Sequence, residues 1–247
     1  MALHLFQMNI KARDDAALAR FWAEALGWSV SGTEPGATTV KPMGPAWPDP
    51  GAVRIDFIAV PDPAVVEYRA HLELATTSAA RHAELVARLK ELGATSADAG
   101  PGEPSRTVLA DPEGNVFCVP EPRESYRDTG PIAAVVVDCA DPRAMARFWG
   151  GAVDWTAHEA TGERALLRSA HGAGPFLEFV RTPHLRETRH RLHLDLAAHP
   201  FDSAGQAAGV ARLKSVGATA PDPGPKEFPW QVLADPEGNE FCVLGPA

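Results

Sequence analysis

Residues 191 to 196 read Arg-Leu-His-Leu-Asp-Leu, with apolar and ionisable positions in strict alternation. Successive side chains of a strand point to opposite faces. The pattern therefore predicts a strand with one leucine face and one face carrying Arg191, His193 and Asp195. Residues 69 to 74, Arg-Ala-His-Leu-Glu-Leu, repeat it with Arg69, His71 and Glu73. Elsewhere the period lengthens. Met145, Phe148, Trp149 and Ala152 fall at helical spacing in a segment that Asp141-Pro142 is suited to start, which predicts a helix over 143–153. Helices are also predicted over 16–26, 78–92 and 204–216, closed by Gly27, Gly93 and Gly217. Short strands are predicted over 132–137, 165–168, 176–180, 230–234 and 240–244, and copy one is read on the same plan.

The chain is written twice. Ala19-Arg20-Phe21-Trp22 returns as Ala146-Arg147-Phe148-Trp149, and Ala87-Arg88-Leu89-Lys90 as Ala211-Arg212-Leu213-Lys214. Leu109 to Asn115 returns unchanged as Leu233 to Asn239, followed each time by x-Phe-Cys-Val. A constant order at this long offset predicts a duplicated domain rather than a solenoid. The polar stretch Glu121 to Asp128 is the expected join, which gives domains 1–122 and 129–247. Within each copy the order is strand, helix, strands, then the same again. Asp-Pro-Glu-Gly-Asn between two strands predicts a hairpin, since Pro presets φ, Gly accepts a positive φ, and Asp and Asn bond the turn backbone.

Composition narrows the function. With 45% hydrophobic and 22% charged residues, the 247-residue chain has the make-up of a globular protein. Its net charge of −9 and the lack of a basic stripe argue against nucleic acid and for a small-molecule partner. No apolar run has the length of a membrane span, and the first residues do not read as a signal peptide, so neither membrane insertion nor export is expected and the cytoplasm is the default. Cys118, Cys139 and Cys242, odd in number and far apart, fit a reducing compartment.

Taken together, "ARFW…LGW" after the first strand, "HLDL" opening the second module and "ADPEGNxFCV" near its end resemble the vicinal oxygen chelate superfamily, and within it the glyoxalase-like branch. The superfamily includes glyoxalase I, extradiol dioxygenases, epimerases, and bleomycin- and fosfomycin-resistance proteins. The resemblance implies an α+β fold of two tandem domains, each of two βαβββ modules forming a concave, mostly antiparallel sheet with helices outside. It also implies that Arg, His and acid look into the cavity while the leucines meet the helices.

In metal-using relatives, ligands come from the first and last strands of the modules. Carried over, these positions are Gln7, Asp56, His71 and Cys118 in copy one, and Ala134, Glu178, His193 and Cys242 in copy two. Ala134 has no donor, and a Cys between Phe and Val reads as a small buried hydrophobe, so a full divalent-metal site is not expected. Copy two should hold none, and any metal should lie in copy one or between the copies. The histidines are open to three readings: a hydrogen-bonded polar cluster, a metal ligand, or an acid–base group. Candidate catalytic residues are His193, Asp195, His71 and Glu73. Candidate ligand-binding residues are Arg191, Arg69 and Glu178, with Trp230, Phe228 and Trp47, aromatics that lack counterparts in the other copy. Trp22, Trp28, Trp149 and Trp155 read as core. The expectation is a small-molecule-binding protein of the glyoxalase or bleomycin-resistance type. The alternative is a lyase, isomerase or dioxygenase using His71 or His193.

Overall fold

A computed structural model describes residues 3–61, 63, 69–97, 106–183, 191–221 and 228–246. The first module runs β1 (Leu3–Ala12), α1 (Asp15–Leu26), β2 (Ser29–Glu34), β3 (Ala37–Lys41) and β4 (Arg54–Ala59). The second runs β5 (Ala70–Leu74), α2 (Ala79–Glu91), β6 (Thr95–Ser96), β7 (Arg106–Ala110) and β8 (Val116–Pro120). The third runs β9 (Ile132–Cys139), α3 (Pro142–Val153), β10 (Trp155–Ala160), β11 (Arg164–Ser169) and β12 (Phe176–Arg181). The fourth runs β13 (Leu192–Ala198), α4 (Ser203–Ser215), β14 (Gln231–Ala234) and β15 (Glu240–Leu244). Each helix starts on a side-chain cap: Asp14, Ser78, Asp141 and Asp202 each accept a backbone N–H of the first turn.

The strands form two mixed sheets, ordered β14-β15-β13-β1-β4-β3-β2 and β10-β11-β12-β9-β5-β8-β7-β6. These sheets do not follow the two repeats. The first joins module one of copy one to module two of copy two through the antiparallel β1–β13 pair. The second joins the remaining modules through β5 and β9. Residues distant in sequence are thereby set side by side on one sheet.

Leu192, Leu194 and Leu196, and likewise Leu72 and Leu74, belong to one hydrophobic core shared with α1, α3 and α4. This is the leucine face that the alternation predicts. Both Asp-Pro-Glu-Gly-Asn segments are hairpins, with Ala110 facing Val116 and Ala234 facing Glu240. Gly114 and Gly238 take φ of +84° and +83° there, where a side chain would be strained. Strands β2 and β10, and the two-residue β6, have no counterpart among the predicted segments; five of six positions in each of β2 and β10 are exposed, so they lack the apolar alternation that marks a strand.

Candidate functional site

On the first sheet, the face opposite the leucines is polar. β1 reaches it through a bulge between Leu5 and Gln7, after which Gln7 stands opposite Asp195 and Asn9 opposite His193. On the other side of β1, Gln7 pairs with Arg54 and Asn9 with Asp56, while Cys242 of β15 lies beside Asp195. The side chains form one directed network. Arg54 donates to Gln7 Oε1 from Nε at 2.9 Å and from Nη2 at 2.7 Å. A guanidinium can only donate, so it fixes the amide with its oxygen toward Arg54 and its nitrogen toward Asp195. Gln7 Nε2 then donates to Asp195 Oδ2 at 2.9 Å, and Asn9 Nδ2 donates to the same oxygen. Thr39 holds Asp56 Oδ1 at 2.8 Å.

Asp195 is 1% exposed. Burial pushes its pKa up to about 7, against the downward pull of hydrogen bonds from Gln7, Asn9 and the Cys242 thiol, and the Asp56 charge adds to the rise. Its other oxygen, Oδ1, is buried with no hydrogen-bond partner. Burial also raises Asp56. At one end of this face lies an aromatic group. The Trp47 ring is 5.3 Å from Phe6 and 5.1 Å from His199, Phe201 stacks on Phe6 at 6.1 Å, and the Arg54 guanidinium lies 4.5 Å over Phe6. The Trp47 indole N–H is buried and unpartnered. A buried acceptor and a buried donor without partners, near the same strand, are what a small polar molecule would satisfy.

The polar face of the second sheet is built differently. Tyr126, from a 3-10 turn at Glu124–Tyr126, is 3% exposed and puts its hydroxyl 2.9 Å from both Glu73 Oε2 and Glu178 Oε2. One phenol carries one proton and cannot donate to two carboxylates. Arg164 Nε donates to Glu178 Oε1 at 2.6 Å. Burial, and then the Glu178 charge, raise the Glu73 pKa. Glu73 is thereby the acid of the pair whose protonated form burial favours. On the same face, burial and then the Arg106 charge depress His71 to about 4, so its imidazole is neutral, and its Nε2 has no partner. Burial lifts Asp138 to about 6 and Cys118 to about 11.

The donor sets of the two faces differ. On the first, the Gln7 oxygen accepts from the Arg54 guanidinium, which also pairs with Asp56. On the second, Ala134 offers nothing, Glu178 is held by Arg164 and Tyr126, and the Cys118 thiol stays protonated at neutral pH. Among the described residues no three of His, Cys, Asp and Glu are grouped to hold an ion.

A family model described as Glyoxalase-like domain matches residues 7–120 and again 134–244. The chain belongs to the glyoxalase-like domain family. Its fold is similar to glyoxalase I of Zea mays, at 14% identity with 99% of this chain and 92% of that chain covered and a TM-score of 0.64. It is also similar to a proposed dioxygenase of Bacillus subtilis, at 14% identity, 99% and 86% coverage and a TM-score of 0.61. No curated protein matches the sequence.

Within this glyoxalase-like chain the predicted site residues part company. Asp195 and Glu73 each sit at the centre of a polar face, with Glu178 beside Glu73. His193 is half-buried opposite Asn9, and His71 is opposite Val136. The two arginines bond the neighbouring hairpins. Arg191, 3% exposed, donates to the Lys11 carbonyl and to Glu113 Oε2, each at 3.0 Å. Arg69 donates to the Glu237 carbonyl at 3.2 Å. Both stand at the start of their strands, where a long guanidinium reaches round to the neighbouring hairpin and secures it. Trp47 joins the first face; Phe228 and Trp230 stack on each other at 4.6 Å, beside the edge strand β14.

Other members of the sites had not been singled out. Asn9 and Arg54 lie in alternating strands, but the bulge breaks the period of β1, and Arg54 is one residue outside the apolar run that marks β4. Tyr126 sits in the polar stretch read only as a join. Nothing local distinguishes it from a solvent-exposed linker residue.

Among the described residues no helix is long and apolar enough to cross a membrane.

Proposed function

We propose that this glyoxalase-like protein binds a small organic molecule on the polar face of its first sheet without a divalent metal. The observation that carries this reading is Asp195, which is buried, held on one oxygen by Gln7 and Asn9, and left without a partner on the other. A ligand N–H or O–H would meet that oxygen, an acceptor on the ligand would meet the Trp47 indole, and the aromatic group around Phe6 would pack its apolar part. Arg54 orients the network through Gln7.

The test is calorimetry and ligand-observed NMR against a library of small hydrogen-bond donors, with and without a chelator. Binders should be insensitive to chelator, and Asp195→Asn, which turns one carboxylate oxygen into a donor, should weaken them by about tenfold or more. Binding that needs added metal and disappears with chelator would defeat the reading.

A second reading, acid–base catalysis of the lyase or isomerase type, is favoured by one observation. A carboxyl with a pKa of about 7 can both take and return a proton near neutrality. Exchange of a bound ligand's C–H for solvent deuterium, present in the wild type and lost in Asp195→Asn, would support catalysis; binding without exchange would leave the chain a binder.

A further inference from the structure

The second sheet holds a molecule of its own. Tyr126 belongs to a buried apolar cluster with Ala133, Ala134, Val136, Leu166 and Phe176, and the Phe176 ring lies 6.0 Å from its own. Its hydroxyl is set between the two acids, and the Arg123 guanidinium lies 5.4 Å from the ring centroid. The space for the ring comes from Ala134. In the first sheet the corresponding place on the central strand belongs to Gln7, whose side chain, tied to Arg54, fills it. Apolar walls, an aromatic neighbour, paired acids for one hydroxyl and a cation over the ring make a phenol-binding site, and the chain supplies the phenol.

The occupant is a short strap rather than part of a strand. It is anchored on one turn, Glu124–Tyr126, and runs to Gly130 at φ +81° before β9 begins. Cavities lie along it. One of about 490 Å³ is bordered by Tyr126, Arg127, Thr76 and Leu85, and another of about 410 Å³ by Asp128, Thr129 and Met8.

We propose that the polar face of the second sheet is a binding site for small hydroxyaromatic molecules, and that Tyr126 is its tethered internal ligand. The two faces are then inequivalent by construction: a phenol enters the second only by displacing Tyr126. This inference does not depend on the ligand of the first sheet.

The experiment is chemical rescue of the full chain. Tyr126→Gly removes the side chain, and 4-methylphenol, the same side chain cut free, is the probe. The variant should melt below the wild type, bind one 4-methylphenol per chain, and regain melting temperature as the probe saturates. Toluene, which keeps the ring and lacks the hydroxyl, should bind about tenfold more weakly or worse. Glu73→Gln with Glu178→Gln in the same background should erase that preference. If 4-methylphenol binds the variant no better than the wild type, or toluene binds equally well, the proposal fails. Should the variant not fold unaided, refolding decides. Near-ultraviolet dichroism restored by 4-methylphenol and not by toluene supports the proposal, and recovery with neither overturns it.

Discussion

The indole N–H of Trp22 donates to Asp111 Oδ2 at 3.0 Å, and in the other copy Trp149 donates to Asp235 Oδ2 at 3.1 Å. Trp22 lies on the helix that covers β3 and β4 of the first sheet, and Asp111 opens the hairpin of the second. The two most recognisable signals of the repeat, the helix tryptophan and the hairpin aspartate, thus fasten one sheet to the other. Asp111 also receives the backbone N–H groups of Glu113 and Asn115 and the Asn115 amide. Asp111→Ala should strand these buried donors and cost about 3 kcal/mol or more, while Trp22→Phe, which loses one bond and part of the ring, should cost about 1–2 kcal/mol. Urea unfolding of both single variants and the double variant checks this. A coupling near zero would mean that the bond carries no stability.

What the sequence discloses and what it hides have physical reasons. Hairpins, caps and the leucine face of β13 follow from turn chemistry and period, which are local. The exchange of modules between copies is not local: β1 meets β13 across more than half the chain, and no residue pattern within either strand names its partner. Asp195 is readable because the alternation sets it opposite the leucines. Asn9 is hidden by the bulge ahead of Gln7, which shifts the face of each residue before it. Arg191 shows the limit of alternation, which assigns a face to the Cβ while the guanidinium at the end of a long side chain bonds elsewhere.

Arg191 therefore belongs to stability. Its buried pair with Glu113 lies in a cluster in which the same carboxylate accepts the backbone N–H groups of Arg13 and Asp14. Arg191→Met should destabilise the chain by about 3–5 kcal/mol, the usual result of leaving one partner of a buried pair alone. Ligand affinity of the molecules that remain folded should not change. Glu237, which accepts the N–H groups of Ala140 and Asp141, does the corresponding work in copy two, so Glu237→Ala should be costly in the same way. Unfolding curves read beside binding isotherms separate the two effects.

The protonation of Asp195 makes stability depend on pH. Its folded pKa of about 7 lies above the ordinary value of 3.8, so the folded state binds a proton that the unfolded chain has already released. That contribution is complete below the unfolded pKa and is lost as pH rises through about 7, by at most about 4 kcal/mol. Asp195→Asn cannot ionise. Its stability relative to the wild type should improve from pH 5 to about pH 7 and level off above that, and a difference that stays flat from pH 5 to pH 7 would show that Asp195 is not the proton holder.

Glu73 and Glu178 bond the same hydroxyl, yet their amide variants should behave oppositely. Burial and the neighbouring Glu178 charge raise Glu73, so its contribution is present at acid pH and falls as pH climbs above the ordinary carboxylate range. Glu73→Gln keeps a donor toward the Tyr126 oxygen and removes the group that would ionise. It should be near neutral at acid pH and relatively stabilising at alkaline pH. Glu178 is the ion-pair partner of Arg164, whose own pKa rises because the carboxylate outweighs the effect of burial. Glu178→Gln leaves a half-buried guanidinium without its counter-charge and should cost about 2–3 kcal/mol, discounted from the fully buried case because Arg164 retains some solvent. Thermal melts of both variants at acid and alkaline pH make the comparison. If Glu73→Gln proves the costlier substitution at alkaline pH, burial does not favour the protonated form of Glu73.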